Sequence, residues 1–463
     1  MEQALVAVDE APNPGLRANS LSPMETLAQS ISAIAPTTTP TMTIPLVFVL
    51  AGNGTWLAYF FATAAVLLVG LMISSFARYT SCSGSLYTYA TSGLPPAISS
   101  IAGWALLLAY IATGASVTGG FVNYANVFLI SLLGKPAPTA LLAVLCVAVS
   151  TFIAYRDVQV SARLMLWIEA TSVTFIAIVL ALLLWRNGLH LDHAQIQLHG
   201  VTASGVRLGV VLALFSFVGF ESATTLGVEA NNPLRTIPRA VIQSAIFTGL
   251  FFILCAYLET LGMNTTHQNL AESTAPMRVL ANLAGVNLLG PLIDFGALVS
   301  MFACTLACIT AAARVLMRMG HNGLVHNRLG TAHHKNATPA AAVLVTGFLT
   351  ALPVVGLSLH GVTGFDIYGW MGSLAVYGFI TTYGLAAIAL PMYLKRNHHL
   401  TNSTLLLSIA TTIAMLLALA GTLYPVPERP YNWLPYVYLA YILCGMAWFA
   451  ISIRRQPTRP SEI

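Results

Sequence analysis

Four acidic residues stand out in this sequence because they fall inside apolar stretches or at the end of one. Glu169, Glu221 and Asp294 lie within runs of hydrophobic residues, and Glu229 follows Glu221 by eight positions. An ionisable side chain inside a lipid bilayer is costly, so it usually pairs with a partner or serves an ion or proton pathway. These residues could therefore bind a proton or a cation, or close an ion pair that gates a pathway.

Each of these carboxylates allows more than one interpretation. Glu169 is either a protonatable coupling site or a buried carboxylate held by hydrogen bonds or an ion pair. Glu221 either holds a helix break by accepting backbone N–H groups or carries a proton. We expect Glu229 to be a structural or gating residue, with Arg235 or Arg239 as its partner.

The composition places these residues in a membrane. The chain has 463 residues, of which 8% are charged and 57% hydrophobic, and its mean hydropathy is +0.78. A soluble domain carries about 25% charged residues. These values exclude a soluble globular enzyme, a disordered chain and a nucleic-acid-binding module, and they leave a polytopic membrane protein. Residues 1–24 are polar and have no apolar core of a signal peptide, so we expect a short N-terminal tail.

Glycines, prolines and charges divide the apolar stretches into twelve predicted membrane spans. Ten or eleven spans is the alternative. Numbered in chain order, the twelve spans are 26–50, 56–77, 98–131, 138–155, 162–185, 205–229, 239–261, 289–317, 338–358, 366–393, 404–424 and 434–453.

The basic residues predict how the spans are oriented. An even number of spans places both termini on one side of the membrane. With both termini in the cytoplasm, all but five of the 20 Lys and Arg residues fall on the cytoplasmic side, which satisfies the positive-inside rule. We therefore expect a multi-pass protein of the plasma membrane, in a bacterium the inner membrane. The five basic residues expected outside are Lys135, Arg186, Arg207, Arg278 and Arg429.

Two segments predict helices that are broken within the membrane. In span 1, Pro36 and Pro40 flank three threonines, and proline inside a helix removes a donor and clashes with the preceding turn. In span 6, Gly219 lies close to Glu221. Irregular backbone inside a bilayer persists only where protein or a water-filled cavity satisfies it. Because spans 1 and 6 each begin a five-helix half, the two breaks predict a substrate site near the membrane midplane. The alternatives are a simple kink at the prolines and close helix packing at Gly219.

The residues around the second break resemble the signature of the amino acid–polyamine–organocation (APC) transporters. The resemblance covers roughly residues 20–395 and implies an all-α, LeuT-type fold, with a 5+5 inverted repeat followed by two peripheral helices. The ten-helix core would occupy 25–396, with repeats at about 25–186 and 204–396, the peripheral helices 397–454, and a cytoplasmic tail 455–463. The similar residues are Gly219–Thr225, Glu229, Asn232, Pro233, Arg235 and Ile237–Ala240, with further matches at Ser83–Tyr87, Gly103, Trp104, Arg314, Gly320, Gly323 and Leu324.

The resemblance also implies a substrate site built from both breaks. The first break would offer backbone N–H groups to a substrate carboxylate, because half-helix N-termini carry unpaired donors. Carbonyls of spans 1 and 6 would accept from the substrate amine, and Phe215 would be an aromatic gate, unless it is an ordinary lipid- or core-facing residue. The predicted substrate-binding residues are Ser32, Ala33, Ile34, Thr37, Thr38, Thr39, Phe215, Ser216, Val218 and Gly219.

The sequence departs from the family in two places. Many relatives have a glycine-rich first break, whereas here threonines fill it, which favours a small or altered substrate. Several relatives carry a lysine in span 5 in place of a sodium ion, and Ser172 aligns with that lysine. Ser172 and Ser300, with carbonyls of span 1, could therefore bind Na⁺. Otherwise the site is empty and the protein is an exchanger, or the serines are helix-packing hydroxyls.

Cysteines and histidines give little support to a cofactor or metal site. No histidine lies well inside a predicted span. Cys304 and Cys308 share a helix face, but two thiols alone make a weak metal site, and we expect the six cysteines to be reduced packing residues. No cofactor is expected beyond a coupling ion, H⁺ or Na⁺.

Together these features predict a secondary active transporter that works by alternating access and has no enzyme activity. A small neutral amino acid is the favoured substrate, and a polyamine or a cationic amino acid is the alternative. Transport would be coupled to H⁺ or Na⁺ or proceed by exchange. A channel would need a symmetric filter or a charged ring, and a membrane-embedded enzyme would need an intramembrane cluster of catalytic residues. The sequence shows neither pattern. We expect the lipid bilayer and a small molecule as partners and no nucleic acid, and the oligomeric state is left open.

Overall fold

The computed structural model describes residues 16, 19–80, 84–156, 159–266, 273, 275–333, 338–424 and 426–455. Most of the predicted N-terminal tail, the C-terminal tail from residue 456, and residues Arg17, Ser83 and Lys335 lie outside this part of the chain. The described residues form helices and turns and contain no strand, and a single bridge pairs Leu21 with Ala230.

The described part of the chain contains sixteen α-helices. They are α1 (Pro23–Ile34), α2 (Ile44–Ala51), α3 (Thr55–Ala77), α4 (Ser85–Gly93), α5 (Pro96–Leu133), α6 (Thr139–Arg156), α7 (Gln159–Arg186), α8 (His193–Ile196), α9 (Ala203–Phe215), α10 (Pro233–Thr266), α11 (Pro276–Leu283), α12 (Leu289–His321), α13 (Ala340–Leu359), α14 (Gly364–Arg396), α15 (Asn402–Leu423) and α16 (Leu434–Arg455).

Ten helical segments of the described chain are long and apolar enough to cross a membrane. One of them, Pro23–Ala77, is 55 residues long and contains α1, α2 and α3. Since one crossing takes about 20 residues, this segment is long enough for two. α9 is a shorter apolar helix of 13 residues that ends at the second predicted break. The chain is therefore a multi-pass, all-helical membrane protein.

Most predicted spans agree with one of these helices to within a few residues. The predicted span 98–131 corresponds to α5, and 366–393 corresponds to α14. Two spans differ more. In the predicted span 205–229, α9 ends at Phe215, and α10 continues past both ends of the predicted span 239–261, from Pro233 to Thr266. Three shorter helices, α4, α8 and α11, lie in segments that were predicted as loops.

Both predicted helix breaks are present. α1 ends at Ile34, Ala35 has a φ of 50°, and a π-helical turn at Thr39–Thr43 leads into α2. α9 ends at Phe215, and an irregular turn leads to a short 3₁₀ helix at Ser222–Leu226. Pro36 and Pro40 account for the first interruption, because proline removes a helix donor and clashes with the preceding turn. Gly219, whose φ of 93° is incompatible with a right-handed helix, marks the second.

The two breaks touch each other. Gly219 has a φ of 93°, and a Cβ atom there would lie 2.7 Å from the Cβ of Ala33. Only glycine combines this backbone conformation with so close an approach. The Ser30 hydroxyl donates to the Phe220 carbonyl at 2.7 Å, and the Ser222 hydroxyl donates to the Gln29 carbonyl at 3.1 Å. The first bond satisfies a carbonyl of the irregular second break, and both bonds tie the second break to α1.

Long helices surround this pair of breaks. α5 packs along α14 and α12, and α3 packs along α10. Small residues allow close crossings: a Cβ on Gly378 of α14 would lie 2.5 Å from the Ala105 carbonyl of α5. The helix packing therefore fixes the two irregular segments at the centre of the molecule.

Candidate functional site

A small cavity lies where the two breaks meet, and we refer to it as the central cavity. Its volume is about 10 Å³, enough for about one water molecule. The structure therefore brings together residues from both predicted breaks around one enclosed space. The lining residues are Ala33, Ile34, Thr38, Thr39, Thr113, Val117, Phe215, Ser216, Val218, Cys304 and Tyr368.

Three of the predicted substrate-binding residues do not line the central cavity. Ser32 is buried, and its hydroxyl has no hydrogen-bond partner among the described residues. Thr37 turns its hydroxyl away from the cavity, toward Glu169. Gly219 packs directly against Ala33. Their predicted roles in substrate binding stay predictions.

Four cavity residues were not predicted. Thr113 and Val117 come from α5, Cys304 from α12 and Tyr368 from α14. The Tyr368 hydroxyl lies 2.6 Å from the Thr43 hydroxyl, so it ties α14 to the segment just after the first break. The four-residue spacing of Thr113 and Val117 shows that they share a helix face, but nothing in the sequence indicated that this face turns inward.

Phe215 covers one side of the central cavity. It is 6% exposed and lies edge-on to Tyr368, with 5.5 Å between ring centroids. The Phe215 ring rests on Gly372 of α14, where a Cβ atom would come within 2.6 Å of it. A larger residue at Gly372 would push the ring aside. The location fits an aromatic gate, and the gating role stays a prediction.

A buried ion pair joins the end of the second break to α12. Arg314 of α12 donates from Nε to Glu229 Oε2 and from Nη2 to Glu229 Oε1, both at 2.9 Å. The prediction of Arg235 or Arg239 as the partner is wrong. The chain turns at Asn232 and starts α10, which carries Arg235 and Arg239 away, whereas α12 places Arg314 against Glu229.

Glu229 also holds the segment that precedes α1. Its carbonyl accepts from the backbone N–H groups of Ser20 and Leu21, at 2.8 and 2.9 Å. One residue thus connects α12, the end of the second break and the entry into the first broken helix. Separating these elements requires breaking a bidentate buried ion pair, which is among the stronger polar contacts in proteins.

Glu169 of α7 lies beside the first break. It is 1% exposed, and its Oε2 accepts a hydrogen bond from the Thr37 hydroxyl at 2.8 Å. Its Oε1 has no hydrogen-bond partner in the described part of the chain. The Ser300 hydroxyl of α12 lies close to the same carboxyl group but outside hydrogen-bond geometry. The Thr38 hydroxyl is also buried and unbonded among these residues. The Glu169 Oε1 and the Ser300 hydroxyl are therefore available at this site for a proton or a cation, whereas Thr38 lines the central cavity.

Ser172 lies one helical turn beyond Glu169 and packs at a helix crossing. A Cβ atom on Gly296 of α12 would overlap the Ser172 hydroxyl oxygen. Ser172 and Ser300 thus both face α7–α12 contacts, as the predicted Na⁺ site requires, but Ser172 serves the close approach of the two helices. Whether they bind Na⁺ stays a prediction.

Glu169 also borders a groove between α1, α7 and α10, which we call the lateral groove. The groove has a volume of about 620 Å³. It is mostly apolar, so a charged carboxylate at its edge would be poorly solvated. The lining residues are Met24, Leu27, Ile31, Pro36, Trp167, Glu169, Ala170, Val173, Gln243 and Phe247.

Glu221 is fixed by two tyrosines. Tyr110 of α5 donates to Oε1 and Tyr383 of α14 donates to Oε2, each at 2.7 Å. Glu221 is fully buried. The sequence predicted that Glu221 holds the break through backbone N–H groups, and it did not identify the tyrosines. Both oxygens are occupied, so Glu221 anchors the second break to α5 and α14.

Two other acidic residues lie farther from the breaks. Asp294 of α12 accepts from Arg278 Nε of α11 at 2.6 Å. Glu259 of α10 was not among the predicted residues, because the sequence placed it at the end of a span. It is fully buried, and neither of its oxygens has a hydrogen-bond partner among the described residues. The length of α10 explains the omission, since seven more residues follow Glu259 before the helix ends at Thr266.

Comparisons with known proteins agree with this arrangement. The chain is 27% identical over 317 residues to the branched-chain amino acid permease BcaP of Bacillus subtilis (strain 168), covering 66% of this chain and 68% of that protein. It is 30% identical over 331 residues to an uncharacterized transporter of Mycobacterium tuberculosis (strain ATCC 25618 / H37Rv), covering 69% and 70%. It is 25% identical over 312 residues to the low-affinity putrescine importer PlaP of Escherichia coli (strain K12), covering 64% and 66%.

The family match is broader than any of these pairwise similarities. The amino acid permease family matches residues 26–462, which include both breaks, the central cavity and the last described helix. The chain therefore belongs to the amino acid permease family, within the APC superfamily of transporters.

Proposed function

We propose that this protein is a secondary active transporter that carries small neutral amino acids across the plasma membrane by alternating access. The observation that carries the proposal is the central cavity, which is formed by two helix breaks in direct contact and lined without any charged side chain. Such breaks expose backbone donors and acceptors, which can bind the carboxylate and amine of an amino acid.

The proposal includes twelve crossings in a LeuT-type arrangement. The 55-residue segment Pro23–Ala77 supplies two crossings, and α9 with the residues that follow it supplies the sixth. α15 and α16 then follow the ten-helix core as peripheral helices. The asymmetric distribution of basic residues supports cytoplasmic termini and, in a bacterium, the inner membrane.

The cavity lining favours a neutral substrate. Ile34, Val117, Phe215 and Val218 supply apolar contacts, and the polar side chains on the wall are uncharged. A polyamine needs a carboxylate for its second amine. Both oxygens of Glu221 are already engaged by tyrosines, and Glu169 does not line the central cavity. BcaP, a branched-chain amino acid permease, supports an amino acid substrate. PlaP, a putrescine importer, makes a polyamine the second candidate.

The closed cavity supports alternating access. A volume of about 10 Å³ cannot hold an amino acid, so the residues around it must separate to admit one. Phe215 and Tyr368 would move on the outer side, and the Glu229–Arg314 ion pair would open on the cytoplasmic side. The Phe215–Tyr368 contact joins the second broken helix to α14, and the Glu229–Arg314 ion pair joins it to α12. Both contacts can therefore open when the broken helices move relative to α12 and α14.

Glu169 is the proposed coupling residue, with a proton as the favoured coupling ion. A proton on the carboxyl group would remove the penalty of a charge beside the apolar lateral groove. It would also weaken the hydrogen bond from Thr37, since bonds to charged groups are the stronger ones. Protonation therefore acts directly on the first break. Na⁺ is the alternative, bound by the free Glu169 oxygen and the Ser300 hydroxyl.

The test is transport by the purified protein in proteoliposomes. We expect saturable uptake and counterflow of small neutral amino acids, driven by an inward proton gradient. Uptake of neutral amino acids, cationic amino acids and putrescine is compared under a pH gradient, under a Na⁺ gradient and without any gradient. Uptake of putrescine alone would refute the amino acid assignment, and non-saturable flux without counterflow would indicate a channel.

A further inference from the structure

Two thiols lie at the edge of the central cavity, on one face of α12. Cys304 and Cys308 are spaced by one helical turn, and their sulfur atoms are 3.9 Å apart. Both are buried free cysteines. Cys304 lines the central cavity, and Cys308 lies behind it, next to Gly114 of α5. One sulfur therefore faces the space in which a substrate would bind, and the second lies directly behind it at near van der Waals distance.

The Cys304 thiol also contacts the first break. Its sulfur donates to the Ala33 carbonyl at 3.0 Å, which is one of the carbonyls predicted to accept from a substrate amine. A ligand on Cys304 thus competes both with that hydrogen bond and with the cavity volume. Modification of Cys304 would therefore affect the proposed substrate site, whereas modification of an ordinary packing cysteine would not.

We propose that Cys304 and Cys308 form a dithiol site for a trivalent, thiol-binding metalloid such as an organic arsenical, and that its occupancy blocks transport. Arsenic(III) prefers two neighbouring thiols to one, because the second bond forms intramolecularly. Sulfur atoms 3.9 Å apart on one rigid helix can both bond to a single arsenic atom after small side-chain rotations. Cysteine sulfur is a soft ligand suited to such elements.

The reaction balances without an oxidant. Phenylarsine oxide and two thiols give a cyclic dithioarsinite and one water molecule. Two arsenic–sulfur bonds form, the arsenic–oxygen bond is replaced, and both thiol protons leave on the oxygen as water. Arsenic remains trivalent and the sulfurs remain at the oxidation level of thiols. The phenylarsenic group is much larger than the closed cavity of about 10 Å³, so it would enter when the broken helices separate. Once bound, it would prevent the cavity from closing again and remove the donor to the Ala33 carbonyl.

The binding test uses the full-length protein with the other four cysteines replaced, as Cys82→Ser, Cys146→Ala, Cys255→Ala and Cys444→Ser. Phenylarsine oxide is titrated, remaining thiols are counted, and 2,3-dimercaptopropanol is then added. We expect two thiols to be consumed per arsenic, with full reversal by the dithiol. Cys308→Ser and Cys304→Ser, each on the same background, should weaken binding at least about 100-fold. Mass spectrometry of the unmodified chain locates the adduct independently of whether the variants fold.

Several results would overturn the proposal. These are consumption of one thiol per arsenic, equal binding by either single-cysteine variant, or reaction only after denaturation. The effect on transport rests on the proposed function, so it is measured separately. Arsenical binding that a saturating neutral amino acid slows supports both ideas. Binding to both thiols without protection by any amino acid supports the dithiol site and counts against the substrate assignment.

Discussion

Replacing Glu169 by Gln tests the proposed coupling mechanism most directly. Gln has nearly the same shape, and its carbonyl can still accept the hydrogen bond that the Thr37 hydroxyl donates at 2.8 Å. The substitution therefore keeps the contact with the first break and removes only the ability to gain or lose a proton. The free energy of unfolding should change by no more than about 1–2 kcal/mol, the difference between a hydrogen bond to a charged and to a neutral acceptor.

The expected effect on transport follows from one titratable group. One proton carried per neutral amino acid allows accumulation of about tenfold per unit of pH gradient, since one unit is worth about 1.36 kcal/mol. A potential of 100 mV adds about 2.3 kcal/mol for the charge that moves with the proton. Without a titratable Glu169, a pH gradient should drive no accumulation, and the internal amino acid concentration should only reach the external one. Counterflow should continue, because substrate binding is preserved.

The assay is uptake and counterflow in proteoliposomes at matched protein density. Glu428→Gln is the matched control, because it makes the same chemical change at an exposed position in the segment between α15 and α16. The reasoning fails if Glu169→Gln accumulates substrate as the unmodified protein does. It also fails if the variant loses counterflow while remaining folded, which would make Glu169 part of substrate binding. Accumulation of the unmodified protein under a Na⁺ gradient alone would assign the site to sodium.

Substitutions at three further positions test other parts of the structure. Phe215→Ala should abolish uptake, because it removes the ring that packs on Tyr368 over the central cavity, whereas Phe215→Leu should retain part of it. Unchanged transport in a folded Phe215→Ala protein would contradict the gate assignment. Glu229→Gln should lower the free energy of unfolding by about 3–5 kcal/mol, because it leaves the buried Arg314 charge unpaired; thermal unfolding measures this, and a change below 1 kcal/mol would refute it. Glu259→Met should raise stability by about 1–3 kcal/mol, because it replaces two buried, unbonded oxygens by an apolar chain. If Glu259→Met instead stays equally stable and loses transport, Glu259 has a functional role in transport.

Much of the fold could be predicted because a bilayer permits few backbone solutions. Uninterrupted apolar stretches must form helices there, so the predicted span 98–131 became α5 with little adjustment. The short helices α4, α8 and α11 were not predictable in the same way. They lie outside the long apolar stretches, and their stability comes from contacts with the neighbouring helices. α11, for example, is linked to α12 by the Arg278–Asp294 ion pair.

The site was predictable where it depended on local sequence, and less so where it depended on packing. Pro36 and Pro40 located the first break in the sequence, and Gly219 located the second. The opposite wall of the central cavity comes from Thr113, Cys304 and Tyr368, which are distant in sequence. In helices that are apolar on all sides, polar and apolar residues do not mark which face turns inward. The incorrect partners of Glu229 have the same origin, because sequence proximity favoured Arg235 while helix packing supplied Arg314.

The three acidic residues next to the breaks differ in how much freedom the structure leaves them. Glu221 has a tyrosine hydroxyl on each oxygen, and Glu229 has both oxygens on Arg314. A change of charge on either would disrupt two strong contacts at once. Glu169 has one bonded oxygen and one unbonded oxygen beside a groove. Of the three, Glu169 can therefore gain or lose a proton at the smallest cost in existing bonds, and its one bond is to the helix break that must rearrange when substrate binds.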